Sequence, residues 1–140
     1  YGDFAGMLAV TTDGNTSVRW LGEQPYNPDE AIAQALQSFP MPVKPDGTLG
    51  FPANADDGQP ARRTAVAQDR QGNILFIVAP RGTLSLYALS RFLTESDLAI
   101  DTAVNLDGGT SSGLWLRTDA LSLDIDSLVP GPSAITVEER

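Results

Sequence analysis

Arg62-Arg63-Thr64-Ala65-Val66-Ala67, then Asp69-Arg70-Gln71-Gly72-Asn73, then Ile74-Leu75-Phe76-Ile77-Val78-Ala79 is the stretch whose reading decides the fold. The outer runs are apolar and carry β-branched residues, and the middle one consists of turn formers, so the pattern is two strands joined by a short turn. The second run is apolar at every position, as in a central strand covered on both faces. Upstream, residues 6–12 are apolar and β-prone, Asp13-Gly14-Asn15 supplies turn chemistry, and Thr16-Ser17-Val18-Arg19-Trp20 follows, which reads as another hairpin.

Helical signals flank this β-rich centre. Asn27 suits an N-cap, Pro28 the first helical position and Glu30 a capping box, which predicts a helix over residues 28–38. Ile32, Ala35, Leu36 and Phe39 would form its buried face, and Pro40 and Pro42 would end it. Thr83 reads as the N-cap of a second helix reaching residue 94, with Leu84, Ala88 and Phe92 along one side. Asp101-Thr102-Ala103-Val104-Asn105-Leu106 has the content and alternation of a strand, and a short strand near residues 134–138 would close the sheet. The expected architecture is α+β: a mixed β-sheet with two main helices in a single domain over residues 1–140.

Composition bounds the function. A chain of 140 residues, 41% hydrophobic and 19% charged, matches one ordinary globular domain. No apolar run approaches the ~20 residues of a bilayer span. The net charge of −9, with basic residues scattered, argues against nucleic acid as a partner. The absence of cysteine and histidine removes thiol catalysis, a Ser-His-Asp arrangement, disulfides and ordinary zinc sites. Any acid or base must be Asp, Glu, Lys or Tyr. The chain starts at Tyr1, without an initiator Met or signal peptide, and is expected to be processed or a fragment. Residues 45–60, rich in Gly, Pro, Asp and Asn, read as a surface loop without EF-hand spacing, and Asp124 and Asp126 as the exposed side of an alternating strand. No metal site or cofactor is expected.

The most informative polar stretch is Asn105-Leu106-Asp107-Gly108-Gly109-Thr110-Ser111-Ser112-Gly113, set between Ala103-Val104 and Leu114-Trp115-Leu116. Gly108 and Gly109 tolerate unusual backbone angles, and the hydroxyls of Thr110, Ser111 and Ser112 add donors beside exposed N–H groups, which suits a nest for an anion such as phosphate. Asp107 at the rim would repel that anion, so it is better aimed at a neighbouring carbon, a water or a metal. The same Asp-Gly-Gly also serves as a plain hairpin turn. An arginine entering a strand, Arg62 or Arg63, has a fork suited to phosphate, and equally suits an ordinary surface position. One of the two is expected to face solvent.

Arg63-Thr64-Ala65-Val66, an apolar strand, a helix and then Asn105-Leu106-Asp107-Gly108-Gly109-Thr110-Ser111-Ser112 resemble the arginine strand and the N-L-D-G-G-G-S-S signature of the phosphodiester glycosidase family. Met41-Pro42-Val43-Lys44-Pro45-Asp46-Gly47 and residues 6–14 are similar to further family segments, so the likeness covers most of the chain. Thr110 departs from the third signature glycine. The upstream Asn-Gly-x-Phe-Phe element is missing unless Tyr1-Gly2-Asp3-Phe4 is its remnant. The resemblance implies hydrolysis of a sugar-1-phosphodiester, small or polymeric, by a secreted, periplasmic or envelope protein. It implies Asp107 and Arg63 as catalytic residues, with Asn105, Gly108, Gly109, Thr110, Ser111 and Ser112 binding substrate. A silent anion- or glycan-binding domain of the same fold is the alternative. Arg63 and Asp107 are expected to share one pocket.

Overall fold

The computed structural model describes residues 4–131 and 133–138. Its centre is a five-stranded sheet of order β5-β4-β8-β6-β7, formed by β4 (Val43–Lys44), β5 (Thr48–Leu49), β6 (Ala61–Asp69), β7 (Ile74–Leu84) and β8 (Ile100–Asn105). A three-stranded sheet of order β2-β1-β3 lies on one face, built from β1 (Gly6–Thr11), β2 (Thr16–Trp20) and β3 (Ile32–Ser38). The helix α1 (Leu86–Glu95) covers the other face, and β9 (Leu114–Arg117) with β10 (Ser122–Ile125) forms a separate hairpin. No helix among the described residues is long and apolar enough to cross a membrane.

Two apolar clusters hold the layers together. Val43, Ala67, Ile100 and Ala103 meet Leu89 and Leu93 of α1 on one side. Val66 and Val104 meet Leu8, Val18 and Met41 on the other. Side-chain alternation along β6 and β8 thus sends neighbouring residues into opposite cores. The sheets approach closely at Gly6, where a Cβ would stand 2.9 Å from Val104 Cβ.

The two hairpins read from the sequence are present, with Leu8 opposite Val18 and Thr64 opposite Val78. The doubly covered strands, however, are β6 and β8; β7 lies at the sheet edge. Its apolar run fills the helix-side core through Leu75 and Ile77 and the other core through Ile74, while Phe76 is exposed. Every strand pairing among the described residues is antiparallel, so the expected mixed sheet is corrected. Residues 133–138 form no strand and are exposed, so the expected closing strand is corrected too.

The first expected helix is instead β3, which leaves α1 as the α-helix among the described residues. Ile32 and Leu36 are four residues apart, a spacing that satisfies a helical stripe and a strand alternation alike. Pairing decides between them, because Leu36 sits opposite Leu8 of β1 and enters the core, overriding local propensity. The capping residues serve a turn: Asn27 Oδ1 accepts the Asp29 N–H at 3.0 Å, and Glu30 binds Arg19 of β2 at 2.6 Å. At the second helix β7 continues to Leu84, which moves the N-cap from Thr83 to Ser85, whose hydroxyl oxygen accepts the Ala88 N–H at 3.1 Å. The buried stripe is therefore Leu89 and Leu93, and Phe92 faces solvent.

The β6–β7 turn is tied by one carboxylate. Asp69 accepts the Asn73 side-chain amide at 2.8 Å and the N–H groups of Asn73 and Gln71 at 2.8 and 2.9 Å, and these bonds, the Asn73 amide foremost, hold its carboxyl below the usual aspartate range. A carboxyl depressed in the folded state contributes stability above its unfolded value of about 3.9, and that contribution is lost as pH falls through the folded value. Asp69→Ala is expected to lower stability at pH 7 while flattening the acid limb below pH ~4. Urea unfolding at pH 7 and at pH ~3 checks this, and an unchanged pH dependence would remove Asp69 from the acid response.

Candidate active site

The signature loop leaves the end of β8 between two flanks. On one side Ala65 of β6 pairs with Asn105, the Leu106 N–H donates to Thr64 O at 2.9 Å, and the Thr64 hydroxyl donates to Asp107 O. On the other, the Asn105 N–H donates to Pro40 O at 3.0 Å and its side-chain amide to Phe39 O at 3.4 Å. The loop is therefore wedged between residues 62–64 and residues 39–40. Segment 126–129 braces it from beyond, with the Leu128 N–H on Thr110 O at 2.8 Å and Arg62 Nη1 on Asp126 O at 3.0 Å.

Each loop residue has a distinct position. Gly108 lies against β6, where a Cβ would stand 2.9 Å from Arg62 O, so no larger residue fits without backbone movement. Gly109 has φ +67° with open space around it and opens a short 3-10 turn, Gly109–Ser111. Thr110 sits inside that turn, in a conformation any L-residue adopts, which explains how it replaces the third signature glycine. The Asp107 carboxylate is exposed and is approached by the Ser111 hydroxyl at 2.6 Å; the same hydroxyl lies 2.9 Å from Gly108 O and has one proton for the two acceptors. Asn105 and Ser112 are buried, yet Asn105 Oδ1 and Ser112 Oγ have no hydrogen-bond partner. Unpaired buried polar atoms are uncommon, and each marks a place where water or ligand can complete the set.

Arg63 is placed differently from the simplest expectation. Its Nε donates to Leu84 O and its Nη2 to Gln59 O, both at 2.9 Å, so two corners of the fork clamp β7 and the preceding loop. Its backbone is level with the signature loop, but no hydrogen bond joins the guanidinium to Asp107 among the described residues. Thr64, Phe39, Pro40, Asp126 and Leu128 were not picked out as site residues by the sequence. Only Thr64 stood in a motif that marked it; the others reach the loop through long-range contacts that no local spacing encodes.

A cleft of about 490 Å³ lies at the opposite end of β6 and β8, beside Gln68, Asp69 and Asp101. Two of its carboxylates are already engaged, Asp69 by its turn and Asp101 by the Asp46 N–H and the Thr102 hydroxyl. Among the described residues no group of three or more His, Cys, Asp or Glu is arranged to hold a metal.

The sequence pattern of the phosphodiester glycosidases matches residues 2–137. The chain belongs to the phosphodiester glycosidase family. A solved structure from the zebrafish, the N-acetylglucosamine-1-phosphodiester alpha-N-acetylglucosaminidase catalytic domain auto-inhibited by pro-peptide, shares the fold with a TM-score of 0.58 at 22% identity. The match covers 79% of this chain and 41% of the zebrafish one, so the chain spans about two fifths of that domain. A hypothetical protein from Synechocystis matches with a TM-score of 0.48 and 20% identity, over 93% of this chain and 32% of its own. No curated protein matches the chain. Tyr1-Gly2-Asp3-Phe4, the candidate remnant of the missing Asn-Gly-x-Phe-Phe element, has Tyr1, Gly2 and Asp3 outside the described residues.

Two substitutions at signature positions should differ in size of effect. Gly108→Ala forces the loop from Arg62 and is expected to cost about 1–3 kcal/mol, the range for overpacking. Thr110→Gly, which restores the family residue, is expected to cost under ~1 kcal/mol, through backbone entropy alone. Paired urea melts check the contrast, and equal losses would remove the close approach at Gly108 as the reason for that glycine.

Proposed function

We propose that this protein hydrolyses sugar-1-phosphodiesters, releasing the sugar from a phosphomonoester. One observation carries the reading: in a member of the phosphodiester glycosidase family, the signature loop presents an exposed Asp107 carboxylate, set by Ser111, and contains two buried polar atoms without partners, Asn105 Oδ1 and Ser112 Oγ. In this reading the phosphate lies on the Arg62–Thr64 side of the loop. The remaining corner of the Arg63 guanidinium and the loop N–H groups hold its charge, and the hydroxyls of Thr110 and Ser112 supply further donors, the Ser111 proton being taken by Asp107 or Gly108 O. A phosphomonoester has a second pKa near ~6, so it departs from the anomeric carbon with little help from a general acid. Asp107 then acts on the sugar side, as nucleophile on that carbon or as base toward the attacking water. Asn105, Gly108 and Gly109 shape the bed on which the substrate rests. The zebrafish relative's name makes N-acetylglucosamine the first sugar to test, and a secreted or envelope setting is the one in which sugar phosphodiester polymers would be met.

A second reading is binding without turnover. It is favoured by the Arg63 fork, two corners of which are spent on backbone carbonyls.

Arg63→Ala is expected to weaken inorganic phosphate binding by roughly 1.5–3 kcal/mol, the range for hydrogen bonds to charged groups. Calorimetric titration checks this, with a thermal melt to register loss of the clamp on Leu84 and Gln59. Unchanged affinity would mean that the anion sits elsewhere.

Asp107→Asn preserves shape and the Ser111 contact while removing charge, so fold and phosphate affinity are expected to persist while turnover falls by ~10²-fold or more. Steady-state hydrolysis of a chromogenic N-acetylglucosamine-1-phosphodiester, with melting on the same preparations, separates the readings. A variant with near-normal turnover takes Asp107 out of the mechanism. Phosphate binding by a parent protein without turnover supports the binding domain.

A further inference from the structure

We propose that Arg62 is a second anion-binding arginine of the signature loop, its guanidinium clasping segment 126–129 with one nitrogen and the phosphate with its Nε side. This rests on the sugar phosphodiester reading above and names a further residue for the phosphate side of that site. Its carbonyl oxygen would stand 2.9 Å from a Cβ on Gly108, near the start of the loop. Its Nη1 donates to Asp126 O at 3.0 Å. The segment that begins at Asp126 meets the loop at two further points: the Leu128 and Val129 N–H groups donate to Thr110 O at 2.8 and 3.3 Å, and Ser127 N would stand 3.2 Å from a Cβ on Gly113. The main chain of Arg62 thus packs on one end of the loop, and its side chain holds the segment packed on the other. β7 makes room for that side chain. Ala61 pairs with Leu84 and Arg63 with Ala79, so residues 80–83 bulge opposite Arg62 alone, and a Cβ on Gly82 would lie 3.8 Å from Arg62 Cγ.

The donors of the two arginines are used differently. Arg63 spends Nε and Nη2, the side of the fork that grips an anion with two parallel bonds, on Leu84 O and Gln59 O. Arg62 keeps that side: its Nη1 is bonded, and its Nε is buried without a partner. Its charge is unmatched as well. Asp and Glu outnumber Lys and Arg 18 to 9, yet the ion pairs among the described residues join Arg19 to Glu30, Arg91 to Glu95 and Arg117 to Asp124, and none includes Arg62. A buried donor on a charged group is unfavourable when left open, and bulk water does not reach this one. An anion oxygen completes the donor and the charge together, whereas a neutral acceptor completes the donor alone. The segment at its Nη1 is lightly held, because Leu128 and Val129 are exposed and belong to neither core cluster, so an anion can enter beside it.

The test is calorimetric titration of the full chain with inorganic phosphate, with a thermal melt of each variant. Arg62→Ala and Arg62→Gln are expected to weaken phosphate binding by about 10- to 100-fold, the equivalent of one lost hydrogen bond to a charged group. Arg62→Lys keeps the charge without the fork and is expected to fall between them and the parent. Arg91→Ala, which breaks an exposed ion pair on α1, should leave the affinity unchanged. Gln retains an amide donor for Asp126 O, so Arg62→Gln with parental affinity marks a purely structural arginine and overturns the proposal. Loss of affinity confined to variants whose melting collapses overturns it in the same way. Unchanged affinity in all three Arg62 variants, beside a loss in Arg63→Ala, overturns it while leaving the phosphodiester reading in place. Arg62-dependent phosphate binding by a chain that does not turn over the chromogenic N-acetylglucosamine-1-phosphodiester upholds the proposal and overturns hydrolysis. A chain that binds no phosphate overturns both.

Discussion

The ladder between β6 and β8 is the constraint on which the rest of the molecule depends. Val66 faces Val104 and Ala67 faces Ala103 across it, and each strand sends side chains into both cores. These side chains are small, which lets the second sheet and the helix approach from both faces at close-packed density. Burial on both sides fixes the register, because a slip of one residue would exchange the two cores. The signature loop begins at Asn105, the last residue of that ladder, so its starting point inherits the precision of the most buried part of the fold.

Legibility from the sequence followed the range of the interactions. Hairpins are local, and both were readable from turn residues between apolar runs. The strand before the signature loop was readable as well. β3 was not, because Ile32 and Leu36 satisfy two periodicities, and the choice was made by Leu8, which is distant in the chain. β7 was misplaced to the sheet centre for a related reason. A run of Ile, Leu and Val states that two faces are covered, but it does not state whether a neighbour lies on each edge. The helix start shifted by two residues since a strand of eleven residues, β7, extends past the turn-like Pro80-Arg81-Gly82.

The site divides in the same manner. The loop residues are contiguous, so their chemistry was visible from composition and spacing, and the family resemblance drawn from them agrees with the match over residues 2–137. The different reasons for Gly108, Gly109 and Thr110 appear only in three dimensions: close approach to β6, a positive φ, and an ordinary helical conformation. Arg63 was legible as an arginine entering a strand. Its carbonyl partners, Leu84 and Gln59, were not, and they give the side chain a structural task alongside any role toward an anion.

The edge position of β7 has a consequence for how molecules of this protein meet one another in solution. An uncovered strand of eleven residues offers a row of main-chain donors and acceptors on which a second chain can add. Pro80 lies within it and has no N–H to contribute, and Arg81 beside it carries charge onto the rim. The uninterrupted apolar part, Ile74-Leu75-Phe76-Ile77-Val78-Ala79, is thereby kept to six residues, ended by a proline, a charge and the glycine that follows. Such gatekeepers restrain β-addition between copies at a strongly hydrophobic border strand.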